Sequence, residues 1–135
     1  MPHPEFKPGF RFSAIDALIL VAGALGAWIV SFRIGWLGFV IAFTVGHFFL
    51  FCNVFRIARF LELIWAAIFL FLTRFTVVSG RPGWTVTTLV SLGVTVLVVR
   101  AELRRPSYHG VGWRRFNPNL PQWWDVAVES QNEEA

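Results

Sequence analysis

Four apolar runs, at about residues 13–32, 35–55, 58–79 and 84–99, leave this chain few ways to fold. Each is near the length of about 20 mostly apolar residues that carries a helix across a hydrocarbon layer roughly 30 Å thick. The fourth run is rich in Val and Thr, as a strand would be in water. Its length and its place after three other spans predict a helix instead. Charged residues make up only 15% of the chain, against about 25% in soluble domains. The expectation is an all-α membrane protein, with four transmembrane helices in an antiparallel bundle over residues 13–105. An extended arm of residues 1–12 precedes the bundle, and a basic, Trp-rich tail of residues 106–135 follows it. The first run exceeds the roughly 7–15 apolar residues of a signal peptide, so it is read as a retained span.

The ends of the spans carry their own signals. The arm, MPHPEFKPGFRF, holds three prolines and a glycine, which rules out a sustained helix. Ser13 followed by Asp16 predicts a capping box at the start of the first helix, with Asp in place of Glu. Ser79-Gly80-Arg81-Pro82-Gly83 reads as a turn. Gly38, Ala42 and Gly46 recur at four-residue spacing in the second span. Small residues let helix backbones approach closely, so these three are expected to share one contact face, with Gly46 against a neighbouring helix. Thr85, Thr88, Ser91 and Thr95 in the fourth span are expected to face other helices.

Charge gives the orientation. In a four-span chain the arm, the second connection and the tail lie on one side. Lys7, Arg11, Arg56, Arg59, Arg100, Arg104, Arg105, Arg114 and Arg115 fall there, against Arg33 and Arg81 opposite. Positive charge marks the cytoplasmic side, so both termini are expected in the cytoplasm, in a plasma or inner membrane. Trp28, Trp36 and Trp84 then fall toward the outer interface and Trp65 toward the inner one. In the tail, Trp113, Trp123 and Trp124 beside Arg114 and Arg115 suggest a segment lying among lipid headgroups. Pro118 and Pro121 argue against one continuous helix there. The net charge of +4 is read as lipid-facing rather than as a nucleic-acid footprint, so no nucleic acid is expected as partner.

Most of the polar chemistry sits between His47 and Glu62, in HFFLFCNVFRIARFLE. His47 lies about 13 Å deeper than Arg56 at helical rise, near mid-membrane. An intramembrane ionisable group is a functional hypothesis by default. Its imidazole could ligate haem iron, although no second histidine reaches that depth, His3 and His109 lying in the arm and tail. The structural alternative is a neutral imidazole bonded to a neighbouring helix, for instance to a fourth-span hydroxyl. Asp16, Asn53, Arg56, Arg59 and Glu62 fall at a common depth nearer the surface. They are expected to form an ion-pair cluster stapling helix ends, with Glu62 paired to Arg59 or Arg56. The alternative is a small anion site clamped by the arginines. The single cysteine, Cys52, excludes an internal disulfide.

No zinc-protease helix, nucleotide-binding glycine loop or nucleophile elbow is present in the sequence, so no catalytic or metal residue is assigned and no enzyme activity is expected. The leading expectation is a non-catalytic accessory or structural subunit that packs against other membrane proteins or its own copies. One alternative is a haem-binding electron-transfer subunit using His47. Another is a small proton- or ion-coupled transporter using Asp16, His47 and Glu62.

Overall fold

A computed structural model describes residues 5–134; Ala135 and the first four residues of the arm, with His3, lie outside the described residues. Among the described residues six α-helices follow in order: α1 (Ala14–Ser31), α2 (Gly35–Phe49), α3 (Arg59–Ser79), α4 (Trp84–Leu103), a single turn α5 (Trp113–Phe116) and α6 (Leu120–Glu134). A π turn over Leu50–Val54 extends α2. The segments Ala14–Ser31, Gly35–Val54, Arg59–Ser79 and Trp84–Leu103 are long and apolar enough to cross a membrane, the mark of a multi-pass membrane protein. The Ser13–Asp16 capping box forms at α1: the Asp16 N–H donates to Ser13 Oγ at 3.2 Å, and the Ser13 N–H donates to Asp16 Oδ2 at 2.8 Å.

The four long helices pack in pairs, α1 with α2 and α3 with α4, not as one closed bundle. Side-chain size explains the division. Gly23 of α1 lies against Val45, and Gly38 of α2 lies against Ala27 and Ser31, so these two backbones approach closely. Toward the second pair α2 presents rings: Phe43 on Phe69, His47 on Trp65, and Trp36 stacked on Trp84. Such rings hold helix axes apart. α1 fully buries only Ala27 and leaves much of its apolar surface exposed.

The small-residue stripe is therefore not one face. Gly38 is buried, but Ala42 and Gly46 are exposed, and a side chain added at Gly46 would meet nothing. A four-residue step overshoots a 3.6-residue turn by about 40°, so Gly46 stands about 80° round from Gly38. A seven-residue step drifts only about 20°, which is why Val45 continues the Gly38 contact instead.

α3 and α4 meet along a polar seam. Thr87, Ser91, Thr95, Val98 and Glu102 are the buried residues of α4. The indole N–H of Trp65 donates to Thr95 Oγ1 and to the Ser91 carbonyl, and the Thr76 and Thr87 hydroxyls pair at 2.8 Å. Ser91 and Thr95 thus face a neighbouring helix as expected, whereas Thr85 is exposed and Thr87 takes the buried position. Trp65 is buried against α4, where its N–H finds partners. An apolar cluster of Phe51, Ile57, Trp65, Phe69 and Val98 joins the end of α2 to this pair.

Candidate functional site

The helix-to-helix junction after α2 is built by an unusual cap. The π turn carries the Phe55 N–H to the Leu50 carbonyl at 3.0 Å, and the Ile57 N–H then reaches back to Phe51 at 2.7 Å. Between them Arg56 takes φ +48°. A 7→1 bond over a left-handed residue, with Ile57 packed near Phe51, resembles a Schellman cap widened by one residue where the π turn ends the helix. Glycine usually holds that left-handed position; here it is an arginine. Its guanidinium Nη1 donates to the Lys7 carbonyl at 2.7 Å. Burial, and then the charge of Arg11, presses the Arg56 pKa below its ordinary value.

Arm, junction and tail converge on this cap. The Arg11 N–H donates to the Asn53 carbonyl at 3.0 Å, and Asn53 Nδ2 returns a bond to the Arg11 carbonyl at 2.8 Å. The Gly9 N–H donates to His109, and the Val111 N–H donates to Val54. Gly110 has no room for a side chain: a Cβ would lie 2.6 Å from the Phe55 carbonyl carbon. Tyr108 is fully buried, and its hydroxyl donates to the Val111 carbonyl at 2.6 Å. Burial, and then the nearby Glu102 carboxylate, pushes its pKa up to about 12. Asn117 fixes the tail through bonds to the Pro106 and Tyr108 carbonyls.

The predicted charged residues gather here, but not as an ion-pair staple. Asp16 and Asn53 line one groove with Cys52, while Arg56, Arg59 and Glu62 line a neighbouring cleft, again with Cys52. Asp16 is engaged by Ser13, and Asn53 by the arm. Glu62 does not pair with Arg59 or Arg56; the Cys52 thiol lies 3.7 Å from its Oε1. The ion pairs among the described residues are Lys7–Glu5 and Arg105–Glu102. At Arg56 the cap contributes: from the left-handed turn its Nη1 bonds the Lys7 carbonyl of the arm and not the Glu62 carboxylate.

Glu102 is the residue that sequence reasoning passed over. It is 3% exposed. Its Oε2 accepts the Ala58 N–H at 3.3 Å, just ahead of α3, and Arg105 Nη1 at 3.4 Å. A signal existed: Glu102 lies seven residues beyond Thr95, on the same helical face. Placing the end of the fourth span near Val99 hid it, because α4 continues to Leu103.

His47 stands apart from the charged residues. It is 8% exposed and nearly parallel to Trp65, with ring centroids 4.4 Å apart, and Phe43 lies 4.3 Å away. Its Nδ1 bonds to the Phe43 carbonyl of its own helix at 2.8 Å and not to a fourth-span hydroxyl. That carbonyl accepts, so a proton sits on Nδ1, and in the neutral imidazole Nε2 is then the lone-pair nitrogen. Asp16, His47 and Glu62 thus occupy three different settings. Among the described residues, no three His, Cys, Asp or Glu side chains gather to hold a metal ion.

In the tail, Phe6 of the arm packs edge-on against Trp113 and Trp124, and the Arg114 guanidinium lies over Trp113 at 5.6 Å. Trp123 and Arg115 stay exposed. The break between α5 and α6 falls around Pro118, while Pro121 sits in the first turn of α6, where its missing N–H costs nothing. No protein-family model, curated protein or solved structure matches this chain.

Proposed function

We propose that this protein is a non-catalytic accessory or structural subunit, embedded in a plasma or inner membrane with both termini cytoplasmic. It would pack against other membrane proteins or further copies of itself. One observation carries the reading: Ala42 and Gly46 are exposed on α2, and a side chain added at Gly46 would meet nothing. Small residues on a lipid-exposed face offer a second backbone a close approach, which is how helices associate without a hydrophobic drive. The interior supports it as well. The α3–α4 hydroxyls and the Trp65 N–H largely serve internal packing, and His47 Nδ1 is held by its own helix.

Co-purification from mild detergent is the test. Wild-type chain should bring down a membrane partner or a second tagged copy. Gly46→Leu should lose that association while its own thermal melting stays unchanged. Retained association in Gly46→Leu would sink the assignment of this face. The orientation has its own check: reporters fused at Gly80 and at the C-terminus should lie on opposite sides of the membrane.

A further inference from the structure

The junction of arm, cap and tail holds a cleft of about 360 Å³ that internal packing leaves open. Arg56, Arg59 and Arg105 line it together with Glu62, Glu102 and His109. The two carboxylates are engaged, Glu102 by the Ala58 N–H and Arg105, and Glu62 by the Cys52 thiol. Arg56 spends Nη1 on the Lys7 carbonyl. A guanidinium carries five N–H donors, so Arg56 has donors left, and Arg59 is exposed on the first turn of α3. Three guanidiniums against two carboxylates leave the cleft positive.

A second groove, of about 260 Å³, runs between α1 and α2 and is walled by Ile19, Leu20, Val45, Phe48 and Phe49. Cys52 lines both cavities, so they share a wall. Asp16 also lines the groove, and its carboxylate is taken up by the Ser13 hydroxyl and N–H. A basic cleft at the end of the spans, beside an apolar groove along two of them, matches an amphiphile with a negative head. We propose that the two cavities together bind an anionic phospholipid, its phosphate held by Arg56 and Arg59 and one acyl chain lying in the α1–α2 groove. Guanidinium matches phosphate geometry through paired N–H donors. The left-handed backbone at Arg56 fits this role, since strain at a non-glycine residue is tolerated where the side chain must be placed.

Native mass spectrometry of the full chain, released from mixed micelles of phosphatidylglycerol and phosphatidylcholine, tests the site. Phosphatidylglycerol should be retained in preference. Each of Arg56→Gln and Arg59→Gln should lower that retention by about fivefold, the scale of one basic residue at a charged lipid surface. Arg59→Lys, which keeps the charge but not the paired N–H donors, should retain more than Arg59→Gln and less than wild type, and Arg104→Gln, outside the cleft, should keep all of it. Leu20→Trp, which fills the groove, should lower it with helical circular dichroism unchanged. If Arg56→Gln fails to fold because the cap is lost, Arg59→Gln decides the matter alone. Equal retention of the two lipids, or equal loss in Arg104→Gln, would overturn the proposal. Full displacement of the lipid by inorganic phosphate alone would also overturn it, by making the site one for a soluble anion.

Discussion

The Trp65 indole N–H reaches across the α3–α4 pair to the Thr95 hydroxyl at 2.9 Å, and Thr95 in turn donates to the Ser91 carbonyl of its own helix at 2.9 Å. The same indole N–H lies 3.1 Å from that Ser91 carbonyl. The donor is therefore shared, and losing one acceptor does not orphan it. Thr95→Val should cost only about 0.6 kcal/mol, the mean for an interhelical hydrogen bond in a membrane. Trp65→Ala should cost about 3–5 kcal/mol, because it also empties a packed volume. Reversible unfolding in mixed detergent measures both; equal losses would show that the hydrogen bond, not the ring, holds the pair.

Gly38 and Gly46 separate packing within the chain from packing between chains. A Cβ at Gly38 would strike the Ser31 hydroxyl and stand 2.7 Å from the Ala27 carbonyl oxygen, so α1 would have to move. Gly38→Ala should destabilise the isolated protein by about 1–3 kcal/mol, the range for overpacking. Gly46→Ala should leave it unchanged or slightly more stable, alanine being the better helix former. Melting curves of the two variants in detergent should therefore diverge, and coincident curves would contradict the assigned α1–α2 face.

The spans were legible because a bilayer imposes length and apolarity on each one separately, without reference to its neighbours. The Ser13–Asp16 cap was legible for the same reason, being local. Partnerships across helices were not. Gly46 carries the same small-residue signal as Gly38, and only the three-dimensional placement of α1 distinguishes them. Glu62 and Arg59 stand at a spacing that permits a salt bridge, yet Glu62 meets the Cys52 thiol and Arg59 stays exposed. Tyr108 gave little local signal, because its burial comes with a tail that folds back over the end of α2.

Arg56 occupies a backbone position that suits glycine, and this sets up a comparison of two truncations. Arg56→Ala and Arg56→Gly both remove the bond to the Lys7 carbonyl. Only glycine also relieves the left-handed backbone at φ +48°. A residue with a Cβ pays about 1–2 kcal/mol there, so Arg56→Gly should melt above Arg56→Ala by a margin of about 1 kcal/mol. The reverse order would argue that the turn is not left-handed in solution.

Tyr108 is the chain's single tyrosine, so its ionisation can be followed directly by ultraviolet difference absorbance. Its pKa rises from 10.0 to about 12 on burial beside Glu102. A pKa raised in the folded state means that the fold favours the protonated phenol. That contribution is fully present below pH 10, declines as the unfolded chain begins to ionise, and is gone as pH passes about 12. Alkaline titration of the native protein should show tyrosinate only near the upper value. Thermal stability of the wild type should fall more steeply above pH 10 than that of Tyr108→Phe. A native titration centred at the ordinary value would mean the tail does not cover the ring.

His47 divides two readings of the membrane interior. The sequence suggested a histidine bonded to a neighbouring helix, a role that a glutamine amide could share. The structure instead stacks the ring on Trp65 and bonds Nδ1 to the Phe43 carbonyl. That carbonyl already accepts a helical N–H, so losing the imidazole bond leaves no orphan. A flat ring should therefore matter more than a donor. His47→Phe should stay within about 1.5 kcal/mol of wild type, as volume-conserving swaps do, and His47→Gln should be the less stable of the two. If Nε2 instead ligates haem, purified wild type will show a Soret band that His47→Phe abolishes. We expect colourless protein and the order wild type, Phe, Gln in melting temperature; a coloured preparation bleached by His47→Phe would replace the structural role with a cofactor site.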